Sequence, residues 1–223
     1  MGENPRAPSS RTRVRRHPER ARYEREVVDA ILDEALVCHV GFVHDGQPYV
    51  IPTLHARVGD DLYLHGSAAS RMVRALSTGM DVCVTATLVD GLVLARSVFD
   101  HSVNYRSAVV LGRASLVEDP REKERALEAF TEKLVPGRWS EARLPTQKEL
   151  KATGVLRLSL EECSAKVRAG GPGGGDGPDA ELDVWAGVVP LLLRAGSPEP
   201  DPLLRPGIPV SPSVRALRRR FGS

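Results

Sequence analysis

Aromatic side chains are scarce: only 4% of the 223 residues are Phe, Trp or Tyr. A core built from this chain must therefore rest mainly on Val, Leu and Ala. Cysteine is scarce too, and Cys38, Cys83 and Cys163 are odd in number and far apart. They argue against a disulfide frame or a zinc site and read as buried thiols in a reducing compartment. No apolar run is long enough to span a membrane and no signal-peptide h-region opens the chain, so no membrane partner is expected and the expected location is cytoplasmic. A Gly-x-Ser-x-Gly elbow, a P-loop and a Cys-x-x-Cys pair are all absent, which removes support for hydrolase, nucleotidase and thiol-redox chemistry. The six histidines (His17, His39, His44, His55, His65 and His101) show neither His-x3-His nor HExxH spacing. No metal site is expected, although His55 and His65 flank a hairpin and can in principle meet across it.

What is present suits one soluble domain with appendages: 41% of residues are hydrophobic and the net charge is only +2. Residues 1–20 carry Arg6, Arg11, Arg13, Arg15, Arg16 and Arg20 among Pro and Ser, with no apolar periodicity. They read as a flexible arm. Such a run attracts nucleic acid in general, but no nucleic-acid fold follows, so no specific nucleic-acid partner is expected. A domain over residues 21–190 comes next, then a Pro-rich and basic tail over 191–223, in which Arg215, Arg218, Arg219 and Arg220 read as solvated.

Inside the domain, the spacing predicts a helix over Tyr23 to Ala35, with Val27, Ile31 and Leu32 as its apolar stripe. A strand over Val37 to Val43 turns at Asp45-Gly46, a strong hairpin signal. The organising stretch follows, from Gln47 to Arg74. Its first strand, Tyr49 to Arg57, contains Pro52, which cannot donate a ladder hydrogen bond and marks an edge or a bulge. The second, Leu62 to His65, breaks at Gly66. Ser67 is then expected to cap a helix over Ala68 to Ser77. Two readings stand for His65, Ser67, Ser70 and Arg71: an anion receptor at a helix start, or a cap with solvated neighbours.

Two strands, Asp81 to Val89 and Leu92 to Val98, are expected to form a hairpin about Asp90-Gly91. A polar knot from His101 to Ser107 precedes a strand running from Ala108 to Val117. An amphipathic helix over Asp119 to Leu134 starts at Asp119-Pro120, and Thr146 with Glu149 forms a capping box. Gly154 to Leu160 and Ala165 to Arg168 read as strands, with Lys166 and Arg168 on one face. Gly170 to Gly177, with Asp176, lacks the βαβ context of a nucleotide loop and reads as a link.

The order strand, turn, strand, Leu64-His65-Gly66-Ser67, Ser70-Arg71, helix resembles the flavin-binding split barrel of the pyridoxamine phosphate oxidase superfamily. It is most similar to the branch of small flavin-nucleotide-binding proteins related to the nitroimidazole-resistance reductases, and the likeness spans Tyr23 to Pro190. The resemblance implies a mainly β fold, a six-stranded antiparallel split β-barrel with flanking helices. It also implies a homodimer with FMN at the interface. Val50, Ile51, Pro52 and Thr53 would line the ring edge, and Leu64, His65, Ser67, Ser70 and Arg71 would surround the ribityl and phosphate end. His65 would be the catalytic proton donor. Asn104, Tyr105, Arg106 and Ser107 would close the site from the interface, and Trp185 would either cover the flavin or serve as an ordinary core or edge residue. The implied activity is flavin-dependent reduction of a small nitroaromatic or quinone-like acceptor. Two alternatives are a non-catalytic flavin- or haem-binding carrier or sensor, and a deazaflavin-dependent reductase.

Overall fold

A computed structural model describes residues 7–173 and 177–220, with the side chains of 218–220 excluded; Arg6, Asp176, Phe221 and the side chains of Arg218, Arg219 and Arg220 thus lie outside the described residues. The chain opens with a short strand, β1 (Ala21–Arg22), and a helix, α1 (Arg25–Glu34). Val28, Ile31 and Leu32 of α1 are buried, as the helical spacing requires. A meander follows: β2 (Val37–His44), β3 (Gln47–Val58) and β4 (Asp61–Ser67), then helix α2 (Arg71–Leu76). Asp45 and Gly46 turn β2 into β3 with φ of 51° and 75°. These are the left-handed values of a two-residue hairpin loop that follows the strand twist.

The second half contains two long strands, β5 (Asp81–Leu94) and β6 (Ser102–Arg113), and a short one, β7 (Ser115–Leu116). Helices α3 (Pro120–Leu134), α4 (Arg138–Glu141) and α5 (Gln147–Ala152) follow. The chain then returns through β8 (Thr153–Ser159), β9 (Cys163–Arg168) and β10 (Gly187–Pro190) before a last helix, α6 (Pro212–Arg220). Asp119 caps α3 by accepting from Arg121 and Glu122, and Thr146 with Glu149 makes the expected capping box on α5.

All strand pairs are antiparallel, in the order β1-β9-β6-β5-β2-β3-β4-β8-β7, with β10 added to β5. The sheet is mainly β architecture with flanking helices and does not close, as a split barrel requires. The split lies in β3. Its residues Gln47 to Leu54 pair with β2, whereas His55 to Val58 pair with β4. Helix α2 sits where the two halves part, with Met72, Val73, Ala75 and Leu76 buried against the main core. A second, smaller core gathers Ala56, Tyr63, Val117, Ala126, Phe130 and Val155 beneath α3.

Four expectations are corrected. First, Asp90-Gly91 does not turn a hairpin: β5 runs through it, with a bulge between Val89 and Gly91. Gly91 is needed because β10 lies against it; a Cβ there would stand 3.0 Å from the Val189 carbonyl oxygen. Second, the polar knot is not a loop before a strand, since β6 already begins at Ser102. Third, α2 is six residues long and is capped by Ser70, whose hydroxyl accepts from Val73 N, rather than by Ser67. Fourth, the N-terminal segment is held down over residues 9–14. Thr12 is buried, Ser9 Oγ donates to Glu162, and Val14 N donates to the Tyr23 hydroxyl at 2.9 Å.

The tail is also anchored, because Ser213 is buried and its backbone N–H donates to Glu141 at 3.0 Å. Cys38, Cys83 and Cys163 are free thiols. Among the described residues no helix is long and apolar enough to cross a membrane.

Candidate functional site

The split places the first group of candidate residues around α2. Val50 and Pro52 are exposed on one face of β3, with Ile51 and Thr53 half-buried on the other. Ser67 is exposed and its hydroxyl accepts from Ala69 N at 3.3 Å. Ser70 spends its acceptor on the cap. The Arg71 guanidinium lies over the Tyr49 ring, 4.5 Å from its centroid, and among the described residues no carboxylate pairs with it. Stacking of this kind fixes a cation without neutralising it, so Arg71 remains able to meet an anion. Leu64 is fully buried in the main core.

The group on β6 is brought together, but largely by partners within this chain. Arg106 donates through Nε and Nη2 to Asp90, at 3.0 and 2.7 Å, and reaches Glu34 through both terminal nitrogens. That guanidinium is spent on two carboxylates, and it holds the Glu34 carboxyl below the usual range. The β5 bulge lies beside Asp90, whose carboxylate meets Arg106. Asn104 is buried, donates to the Gly170 carbonyl at 3.1 Å and accepts from Arg168. Ser107 Oγ donates to the Lys166 carbonyl at 3.3 Å, and Tyr105 lies opposite Arg168. Trp185 is 65% exposed and folds back on Gly187, where an added Cβ would come within 2.9 Å of its ring.

His65 belongs to a different place. Its ring packs on Phe130 of α3, centroids 4.3 Å apart and tilted by 58°. Its Nδ1 is buried and, like that of His55, has no hydrogen-bond partner among the described residues. The ring borders a cavity of about 540 Å³ walled by Leu54, Leu127, Phe130, Leu134 and Trp139. Desolvation pushes the imidazole pKa below its ordinary value, so the neutral form is favoured. The arginines at the rim are engaged: Arg143 pairs with Glu149 at 2.7 Å and Arg138 with Glu141 at 3.3 Å. The sequence reading found His65 but missed these walls. The stripe Leu127, Phe130 and Leu134 followed by Trp139 was their signal, and it reads equally well as plain core.

Next to this cavity His55 is 1% exposed, with Nε2 at 2.9 Å from both the Leu32 carbonyl and Lys133 Nζ. It does not meet His65 across the hairpin as an imidazole pair. Burial, reinforced by the Lys133 charge, pushes the His55 pKa down to about 4. The unfolded chain therefore binds a proton that the folded one refuses between the ordinary value near 6.5 and about 4. Stability from this group is complete above that window and is lost as pH falls through it, by about 3 kcal/mol in all. Denaturant melts of wild type against His55→Gln should show the extra acid sensitivity in wild type alone; parallel pH curves would contradict it.

No curated protein matches the sequence. Among solved structures, the fold is similar to the flavocytochrome Anf3 of Azotobacter vinelandii, at 43% identity over 95% of this chain and 98% of that one, with a TM-score of 0.89. It is also similar to an FAD and haem binding protein from Mycobacterium smegmatis, at 39% identity over 89% and 97% of the two chains, with a TM-score of 0.85. A candidate 5-nitroimidazole antibiotic resistance protein from Bacteroides thetaiotaomicron shares the fold at 23% identity over 66% and 86%, with a TM-score of 0.54. A profile of the pyridoxamine 5'-phosphate oxidase family matches residues 24–167, which takes in β2 to β6, the α2 cluster and the His65 cavity. The split in β3, the helix set into it and this match agree: the chain belongs to the pyridoxamine 5'-phosphate oxidase family.

Proposed function

We propose that the protein is a redox carrier that binds a flavin beside α2 and a haem in the His65 cavity. The observation that carries the reading is a neutral, half-buried imidazole bordering a cavity with largely apolar walls. A neutral imidazole keeps a nitrogen lone pair, and histidine is a common ligand of haem iron. The two similar proteins described as a flavocytochrome and as an FAD and haem binding protein support the same pairing. Bound together, a flavin supplies two-electron chemistry and a haem one-electron chemistry.

The chain's own residues would do the rest. His65 stays unprotonated at neutral pH because it is desolvated, and so keeps a lone pair for a metal. Leu127, Phe130 and Leu134 keep water from the cavity. Arg71 and the Ser67 hydroxyl supply charge and a donor for a flavin phosphate; FMN is the smallest flavin that uses them. The exposed valines 37, 43, 50 and 89 are the surface on which we place a second copy of the chain, and sedimentation as a monomer would remove that part of the reading.

An FMN-dependent reductase with a small aromatic or quinone-like acceptor in the same cavity is the second reading, favoured by the apolar walls. It fits less well, because a proton donor with a depressed pKa is mostly unprotonated at neutral pH. The two readings separate on one experiment. Protein loaded with flavin and haemin is illuminated at the flavin band under nitrogen, with EDTA as the sacrificial electron donor. Conversion of the Soret band to its ferrous form supports transfer between the two groups. Bleached flavin beside unchanged ferric haem contradicts it.

A further inference from the structure

A second concave region lies away from both sites, between the N-terminal segment, the turn around Val98–Asp100 and the end of β9. We propose that this cleft takes the diphosphate of an adenine dinucleotide. Five basic side chains, Arg16, Arg20, Arg22, Lys166 and Arg168, line it against two carboxylates, Glu19 and Asp100. The local excess of three positive charges is larger than the +2 of the whole chain. Such concentration in a concave surface focuses the field on an anion.

How these cations are held matters more than their number. Glu19 is shared between His17 at 3.1 Å and Arg20 at 3.6 Å. Arg22 instead donates to the carbonyls of Glu19 and Ala21, at 2.9 and 2.6 Å. Arg168 is likewise steered by neutral oxygens, from Asn104 and from the Gly171 carbonyl at 3.3 Å. Carbonyls orient a guanidinium without cancelling its charge, whereas a carboxylate would cancel it. Among the described residues Lys166 forms no ion pair, and it sits two residues from Arg168 on the same face of β9. Oriented, uncompensated cations of this kind form a receptor for two adjacent phosphates.

Size and one more residue narrow the ligand. The cleft encloses about 1040 Å³, far more than a simple anion needs and ample for a nucleotide. Phe99 at its mouth is 90% exposed, and its neighbour Val98 88%. A free aromatic face beside a basic groove is a platform on which a purine stacks. A nicotinamide adenine dinucleotide fits both features and would bring reducing equivalents to the flavin; FAD does not, because its diphosphate includes the flavin phosphate placed at Arg71. The site stands on its own geometry, and only its redox role rests on the proposed function.

Calorimetric titration of the full chain with ADP and with inorganic pyrophosphate tests the site. Arg22→Gln/Lys166→Gln should weaken both by at least about tenfold, since each cation removed takes away a charge-assisted contact. Phe99→Ser should weaken ADP and leave pyrophosphate unchanged. Lys166→Arg should restore most of the loss from Lys166→Gln. Circular dichroism and FMN titration of each variant serve as fold controls and are expected to match wild type. NADH or NADPH affinity should fall in the double variant while FAD and FMN bind as before; FAD affinity lost beside unchanged NADH and NADPH affinity overturns the proposal. ADP binding that is absent from wild type, or equal in wild type and double variant, overturns the proposal. Failure of flavin binding alone, with ADP still bound, overturns the flavin reading and leaves this cleft standing.

Discussion

Replacing His65 with alanine should abolish haem uptake while flavin binding survives. The His65 imidazole borders the α3 cavity, and removing a metal ligand outright costs at least about a hundredfold in affinity. The fold should tolerate the change. His65 is half-buried and its recorded contact is the Phe130 ring, so a smaller side chain loosens the cavity without breaking a hydrogen bond. Titration with haemin, followed at the Soret band, checks it. A variant that takes up haem like wild type would move the ligand elsewhere. Adding imidazole to the solution should restore part of the band in His65→Ala, which a merely structural role for the residue would not allow.

The second large effect concerns the helix in the split. Gly154 on β8 faces α2 so closely that an added Cβ would lie 2.4 Å from Val73 Cγ1, and Val73 is itself buried. Something must shift. Gly154→Ala is expected to cost about 3 kcal/mol, the upper part of the usual range for overpacking, and to lower Tm by roughly 6 to 12 °C in a chain of this size. It should also displace Arg71 from the Tyr49 ring, because α2 carries both Val73 and Arg71. Flavin binding should therefore weaken with stability. Val73→Ala in the same chain makes room, so the double variant should recover most of the stability; a double variant no better than Gly154→Ala would contradict the packing account.

These two residues also show what the sequence conveys and what it hides. The hairpin at Asp45-Gly46 is legible because its cause is local: both residues must take positive φ. Asp90-Gly91 carries the same letters for another reason, the approach of Val189 from a strand about 100 residues away along the chain. No window along the sequence distinguishes the two cases. The α2 cluster was legible as a composition of His, Ser and Arg, yet its helix is shorter than its apolar pattern suggests. The partners of Arg106, Glu34 and Asp90, lie 72 and 16 residues away along the chain, beyond any local window. The cavity beside His65 joins Leu54 on β3 to Phe130 on α3 and Arg143 beyond α4, so it exists only after folding. Capping signals at Asp119 and Thr146 held because a cap is decided within four residues.

The central claim is that one chain holds two redox groups, a flavin near Arg71 and a haem on His65. An absorbance spectrum of the full chain, saturated with flavin and haemin and then freed of excess by gel filtration, tests it most directly. The account predicts a Soret band and a flavin band in the same peak, in equal amounts, with the Soret band alone lost in His65→Ala and the flavin band alone diminished in Arg71→Ala. A protein that emerges colourless, or one that holds either group undiminished in its own variant, would contradict it.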